Sequence, residues 1–530
     1  MAEYWSTLDV DLHLSVDPAS GRRVGLEHAL REAIRDGRLG AGTRLPSTRT
    51  LAVELGLARG TVSAAYDQLV AEGHLVAVRG SGTHVAELAG QGGASGLVAA
   101  PGSPRSLDAL GVSSGLRQAG MPGQPGMPGE PGMPGQPGAL GLPGAWAGEQ
   151  ARSRPKPLGN NLLPGSPDLS HFPRAAWLRA SRRALNAAPN DAFGYGDPRG
   201  RVELRRALAE YLGRARGVLA DPERIVIVSG AVQGLALLGQ VLGGVVAMED
   251  PYIPLFHEVV RSHGADVVPL PVDDDGARVD LLAGPGFDQV GTVVVTPSHQ
   301  YPIGSTLHPA RRQALVEWAC EGRRLVVEDD YDGEFRYDRQ PVGAVQGMAP
   351  ERVVYLGTAS KTLGPGIRLA WMVLPGPLVG PVTEAKRHAD HQSEALGQLT
   401  LAEFIASHDY DRHVRAARLR YRRRRDLLAE RLHTRAGRPA AGFALGGIAA
   451  GLHALVRLEP AGMTEAEVLK RASEFDLELE GLGGLWHTAT ANTLASSAPR
   501  PQGIVVGFGS PTEAAYPRAL DALVRTLSWR

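Results

Sequence analysis

From about Ala89 to Pro157 the chain is dominated by Gly, Pro, Ala and Ser, and apolar periodicity disappears. Such a stretch lacks the large apolar side chains that offset the entropy lost on ordering, so it reads as a linker. It divides the chain into residues 1–88, a tether of residues 89–157, and residues 158–530. The length of 530 residues agrees with that division, because single cores stop growing at roughly 250–300 residues.

Inside the tether, MPGQPG, MPGEPG and MPGQPG repeat head to tail from Met121 to Gly138, placing Gly at every third position as collagen does. The run is short, and a single polyproline-II spacer extending ~3.1 Å per residue needs no partner strands. Such a tether can hold its flanking domains far apart. Lys plus Arg and Asp plus Glu balance at 56 each, so any charge signal for nucleic acid must be local. Cys320 is the only cysteine, which excludes an internal disulfide and fits a reducing compartment. The opening MAEYWSTLDVDLHL lacks a basic n-region followed by an apolar h-region, and no apolar run approaches the ~20 residues that span a bilayer. A cytoplasmic protein with no membrane span is the expectation.

Before the tether, LEHALREAIRDG has helical spacing of Leu26, Leu30 and Ile34 and stops at Gly37. LPSTRTLAVELGLARGTVSAAYDQLVAEGHLVAVRGSGTHV then parses as helix, tight turn, helix and two short strands. Ser47 can cap the helix carrying Leu51 and Leu55, Gly56 supplies the turn, and Thr61 to Glu72 forms a second helix with Val62, Tyr66 and Leu69 on one face. HLVAV and THV flank RGSG, a turn that projects Arg79 as a wing. Between Arg22 and Val85 stand nine Arg and six acidic residues with no Lys, a modest excess of +3. Placement carries more weight. Arg59 and Thr61 fall at the start of the second helix, where Arg can fork to guanine and Thr can touch a phosphate or methyl group. Arg49 and Arg79 can clamp backbone on either side. Each arginine taken singly also reads as part of a solvated face.

Over its whole length this stretch resembles the GntR-type winged helix. The resemblance implies contacts with double-stranded operator DNA from Arg49, Arg59, Gly60, Thr61, Arg79 and Gly80. Ser63 departs from the arginine that some relatives carry there, which leaves the operator preference open.

After the tether, apolar runs such as RIVIVSG, GTVVVTPS, RRLVVEDD and RVVYLGT alternate with helical stretches such as HPARRQALVEWACEG, the pattern of a parallel α/β sheet covered by helices. In VVYLGTASKTLGPGIRLAW a strand delivers Ser360 and Lys361 into a Gly/Pro-rich loop followed by Arg368. A lysine after a buried strand can be desolvated enough to form an imine with an aldehyde, while Ser360 and Arg368 neutralise a phosphate on the same ligand. Alone, it reads rather as a surface lysine in a turn. RRLVVEDDYDGEF ends in Asp329, Asp330 and Tyr331 at the ligand side of such a sheet. One carboxylate there can pair with a protonated pyridine nitrogen, and a tyrosine two residues on can hydrogen-bond a ring hydroxyl. In IVIVSGAVQGLALLG the first helical amides, around Gly230, Ala231 and Val232, can hold phosphate. MEDPYIP offers Tyr252 as a ring to stack on a pyridine, and TPSHQYPIG places Tyr301 near the cofactor edge. Each piece alone reads rather as ordinary core or loop.

Taken in order with FGYGDPRGRVELRRALAEYL, these segments resemble fold-type I aminotransferases from about Leu158 to the C-terminus. The resemblance implies a mainly parallel sheet with a smaller C-terminal α+β subdomain, and pyridoxal 5'-phosphate held on Lys361. It implies Asp329 as pyridine partner, a phenolic contact from Tyr331, and phosphate contacts from Ala231, Val232, Ser360 and Arg368. Tyr252 and Tyr301 line the same cofactor, and Tyr195 reaches it across a homodimer. The two halves together resemble the MocR/GabR family of transcription regulators, whose aminotransferase-like domain senses a ligand rather than serving metabolism.

Two departures bear on activity. Tyr301-Pro302-Ile303-Gly304 stands where aminotransferases carry NPTG, so the asparagine that tunes the ring hydroxyl is missing. Val505 stands where they place an arginine that forks to a substrate carboxylate, a geometry valine cannot supply. Arg199 is a candidate replacement. The reading is a regulator that senses pyridoxal phosphate, or its imine with an amine or amino acid, as in the PdxR branch that controls vitamin B6 synthesis. The alternative is a working aminotransferase carrying a DNA-binding module.

Overall fold

Leu26, Leu30 and Ile34 bury one side of helix α1 (Arg22–Arg35) against α2 (Thr48–Glu54) and α3 (Arg59–Ala71), forming a small core with Leu51, Val62, Tyr66 and Leu69. These contacts belong to a computed structural model that describes residues 3–4, 13–14, 22–35, 39–78, 82–86, 160–322, 324–337, 343–434, 442–487 and 500–528. The expected tether at 89–157 lies outside the described residues, as do Arg79 and Gly80. Ser47 accepts the Thr50 amide at 3.1 Å and so caps α2, and Gly56 makes the turn with φ 61°. The second helix starts at Arg59 rather than Thr61, because Ala58 is extended and supplies the cap position without a side-chain bond. Strands β1 (Leu75–Val78) and β2 (Gly82–Val85) pair antiparallel as the wing.

The second half is built on eight strands: β3 (Ile225–Val228), β4 (Gly244–Asp250), β5 (Ala265–Asp273), β6 (Gly276–Ala277), β7 (Val290–Val295), β8 (Leu325–Asp330), β9 (Val353–Thr358) and β10 (Ala370–Val373). Their order is β3-β10-β9-β8-β7-β4-β5-β6. β5, β4, β7, β8 and β9 run parallel to one another, whereas β10 is antiparallel to both β9 and β3 and β6 is antiparallel to β5. β3, β8, β9 and β10 are buried along their entire length, as the continuous Val/Ile/Leu runs require of a sheet covered on both faces.

A second, antiparallel sheet holds β11 (Phe443–Leu445), β12 (His453–Leu458), β13 (Glu480–Gly481) and β14 (Gln502–Gly507) in the order β11-β12-β14-β13. Helices Asp409–Thr434, Glu465–Glu474 and Tyr516–Leu527 pack on it through Leu428, Val468, Leu520 and Leu523. This is the smaller α+β subdomain the resemblance implies.

The winged helix rests on the larger half through the end of α3. At Gly73, with φ 82°, a Cβ would lie 3.4 Å from Met348 and 3.5 Å from the Pro309 carbonyl. Beside it the buried Glu72 accepts from Arg31 at 2.7 and 2.6 Å. A cavity along this seam is lined by Arg31 and Glu72 on one side and by Arg214 and Arg216 on the other.

Arg216, the last residue of helix Val202–Arg216, is buried and donates to Asp330 through Nε at 2.7 Å and Nη2 at 2.9 Å. Tyr355 adds a third bond to the same carboxylate at 2.8 Å. Removing one partner from such a pair leaves a buried charge uncompensated. Arg216→Ala is expected to lower the stability of the larger half by about 3–5 kcal/mol, measured by urea unfolding; a loss below about 1 kcal/mol, the value of an exposed pair, contradicts it.

Candidate cofactor site and nucleic-acid interface

β9 ends at Thr358, whose Oγ1 accepts the Ser360 amide at 3.1 Å and donates to Ser360 Oγ at 2.9 Å. This tight turn delivers Lys361, half-buried, with Nζ donating to the Gly165 carbonyl at 2.6 Å and lying 6.0 Å from the centre of the Tyr331 ring. Burial lowers the Lys361 pKa against the opposing pull of Asp332 and Asp329. The neutral amine, the nucleophilic form, is thereby favoured.

Asp329 is buried at the end of β8 and accepts from the Tyr252 hydroxyl at 2.5 Å. Burial raises its carboxyl to about 6, while the Tyr252 bond and the Lys361 charge oppose the rise. Tyr252, expected as a stacking ring, therefore also holds this carboxylate. Its own ring meets Phe256 edge-on at 5.6 Å.

A second group gathers at the start of helix Ala231–Leu242. Gly230 precedes it with φ 142°, and a Cβ there would lie 3.2 Å from both terminal nitrogens of Arg368. The positive φ favours glycine there, and a Cβ would push that guanidinium a few tenths of an ångström off the helix start. The first-turn amides of Ala231 and Val232 have no acceptor within the helix, and the dipole adds positive potential. Amides, helix end and guanidinium together suit a phosphate.

Tyr331 brings its hydroxyl 3.3 Å from His299 Nδ1. Tyr301 lies edge-on to Tyr331 at 6.5 Å between ring centres and donates to Glu480 Oε2 at 2.5 Å. Burial raises the Tyr301 hydroxyl far above its ordinary value and raises Glu480 as well. Tyr195 joins neither group within the chain; it is 88% exposed, with its ring 4.8 Å from that of His391. Val505 is buried in an apolar cluster with Tyr301, Ile303, Leu455, Leu482 and Leu485, with Glu480 as its cross-strand partner. Arg199 offers no ready replacement: its guanidinium is committed to Asp197, at 3.0 and 2.7 Å, and to Glu223, at 2.8 Å.

The residues present fit pyridoxal phosphate. A desolvated lysine and a buried carboxylate stand at adjacent parallel strand ends, and a cationic cradle with open amides is kept clear by a glycine. Sequence reasoning missed Gly165, His299, Asp332, His453 and Glu480. His299 and Asp332 lay inside quoted motifs, TPSHQYPIG and EDDYDGEF, whereas nothing local marks His453.

On the winged helix, Arg49, Arg59 and Gly60 are exposed and Thr61 is partly so; Arg59, Gly60 and Thr61 form the first turn of α3, opposite its docked end. An exposed helix start of this kind can enter a major groove.

Residues 158–479 match the family "Aminotransferase class I and II", and residues 23–85 match "Bacterial regulatory proteins, gntR family". The chain is 33% identical over 407 residues to the probable rhizopine catabolism regulatory protein MocR of Rhizobium meliloti, covering 76% of this chain and 75% of the relative. It is 29% identical over 508 residues to the HTH-type pyridoxine biosynthesis transcriptional regulator PdxR of Corynebacterium glutamicum, covering 95% and 96%. Kynurenine aminotransferase of Pyrococcus horikoshii superposes with a TM-score of 0.62 at 26% identity, over 69% of this chain and 90% of that one.

Asp329 gives a pH test. Its folded value of about 6 exceeds the ordinary 3.8, so the folded state holds the extra proton between those values and this group's contribution falls as pH rises through that window. Relative to the parent, cofactor-free Asp329→Asn is expected to gain on the order of 3 kcal/mol between about pH 4 and about pH 7, read from urea midpoints. A difference that stays flat with pH contradicts the raised value.

Proposed function

The chain belongs to the MocR-type regulators, a gntR-family module joined to a member of the aminotransferase class I and II family, and from this we propose a pyridoxal phosphate-dependent, DNA-binding transcription regulator. The observation that carries the proposal is the desolvated Lys361 beside Asp329 and Tyr331 on a chain whose winged helix leaves its reading end exposed. When bound, pyridoxal phosphate supplies an aldehyde that captures amines and a ring that withdraws electrons. Lys361, whose proton burial loosens, would be the attachment point. Asp329 would pair with the ring nitrogen while Tyr252 holds its Oδ2. Tyr331 would hydrogen-bond the ring hydroxyl, and Tyr301 would stand near the ring's edge. Ser360, Arg368 and the amides of Ala231 and Val232 would hold the phosphate.

Tyr195 serves the site of a second copy. Its exposure, with Leu178, Leu185 and Phe193 exposed on neighbouring elements, supports a homodimer. Arg49, Arg59, Gly60, Thr61, Arg79 and Gly80 are the proposed operator contacts. The apolar setting of Val505 favours sensing the cofactor itself, and the full-length similarity to a pyridoxine biosynthesis regulator points to control of vitamin B6 supply. No helix among the described residues is long and apolar enough to cross a membrane.

Borohydride reduction of the cofactor-loaded protein, followed by mass mapping, is expected to place the label on Lys361. Lys361→Ala is expected to abolish the visible band of the bound cofactor; a retained band contradicts the attachment point. Arg59→Ala is expected to weaken binding to an operator selected from random duplexes by about 1–3 kcal/mol at fixed salt, and unchanged binding counts against the groove assignment.

A further inference from the structure

His299 and Asp332 are buried beside the cofactor residues, with His299 Nδ1 2.8 Å from Asp332 Oδ2. The His453 ring, also buried, lies against His299 at 4.7 Å between centres, tilted by 39°. One ligand atom from each of the three lies within 4.8 Å of the others. The three residues come from three places in the fold: the loop after β7, the turn after β8, and the first residue of β12 in the smaller subdomain.

His453 Nε2 is buried and has no hydrogen-bond partner, although the Pro302 backbone meets the same ring. A ring that donates to a carbonyl through one nitrogen carries a bare lone pair on the other. Left unmatched in the interior, that lone pair carries its full desolvation penalty. The neighbouring carboxylate is acceptor-only and cannot relieve it. A cation satisfies the imidazoles and the carboxylate together. Gly451 is required by the same geometry: with φ 68°, a Cβ there would fall 2.6 Å from Asp332 Oδ2 and still closer to the His299 ring.

We propose that His299, Asp332 and His453 form a site for a divalent transition cation of the zinc class. Two imidazoles and one carboxylate match the nitrogen and oxygen donors this class prefers, at about 2.0–2.2 Å after small side-chain shifts. Three protein ligands leave a fourth position open, as in zinc sites that bind water or an exogenous ligand. The site borders the cofactor residues, since Tyr331 reaches His299 and the Tyr301 ring lies 5.0 Å from that of His453. Its three ligands are distinct from Lys361, Arg368 and Asp329, so cation uptake is read separately from cofactor attachment.

The test is an equilibrium zinc titration of the full-length protein, repeated with cobalt as a visible-absorbance probe. The parent is expected to take up one zinc per chain, and His453→Gln and Asp332→Asn to weaken it at least about tenfold. His171→Ala, in the other His/Asp/Glu cluster formed with Asp168 and Glu513, is expected to leave uptake unchanged. Circular dichroism and thermal unfolding confirm that each variant is folded, and if one ligand variant fails to fold the other carries the comparison. Absence of stoichiometric uptake, uptake that the ligand variants leave intact, or loss in His171→Ala overturns the proposal.

Discussion

The buried pair between Arg216 and Asp330 fixes the register on which the site depends. Strand side chains alternate between faces, so once Asp330 is held by Arg216 and Tyr355, Asp329 must project to the opposite, ligand side. Glu328 shares the face of Asp330 and accepts the Val345 and Gln346 amides at 2.9 Å each. Three consecutive acidic residues therefore have three separate sets of partners. One of them is left for chemistry.

Desolvation sets the character of the ligand side. It raises Asp329 and lowers Lys361, so both groups are brought toward neutrality in the cofactor-free protein. The opposite side faces the winged helix. Arg216 lines the seam beside Arg31 and Glu72, and α3 runs from that seam to its exposed start at Arg59. A ligand that altered β8 would reach this seam through Asp330 and Arg216. Regulation through that path requires two arrangements that differ in ligand affinity.

Much of this was legible in the sequence because the informative residues sit at strand ends and helix starts, where pattern and punctuation coincide. Lys361 follows an apolar run, Gly230 precedes a helix, and Ser47 caps another. The helix boundary at Arg59 was less legible because Ala58 caps through backbone conformation alone. Tyr252 was read for its ring, and its bond to Asp329 was not foreseeable from MEDPYIP. The pairing of Lys361 with Gly165, and of Tyr301 with Glu480, joins segments 196 and 179 residues apart. His453 enters from the smaller subdomain. Such contacts are products of tertiary packing, and no local spacing encodes them.

The most direct measurement compares affinity for a selected operator duplex with and without pyridoxal phosphate, at one salt concentration, since phosphate contacts make affinity strongly salt-dependent. A cofactor-dependent change of about 5- to 150-fold, the usual range of allosteric coupling, that disappears in Lys361→Ala is the predicted result. Equal affinity in both conditions, from protein shown to carry the cofactor on Lys361, would contradict the claim that the aminotransferase-like half controls DNA binding.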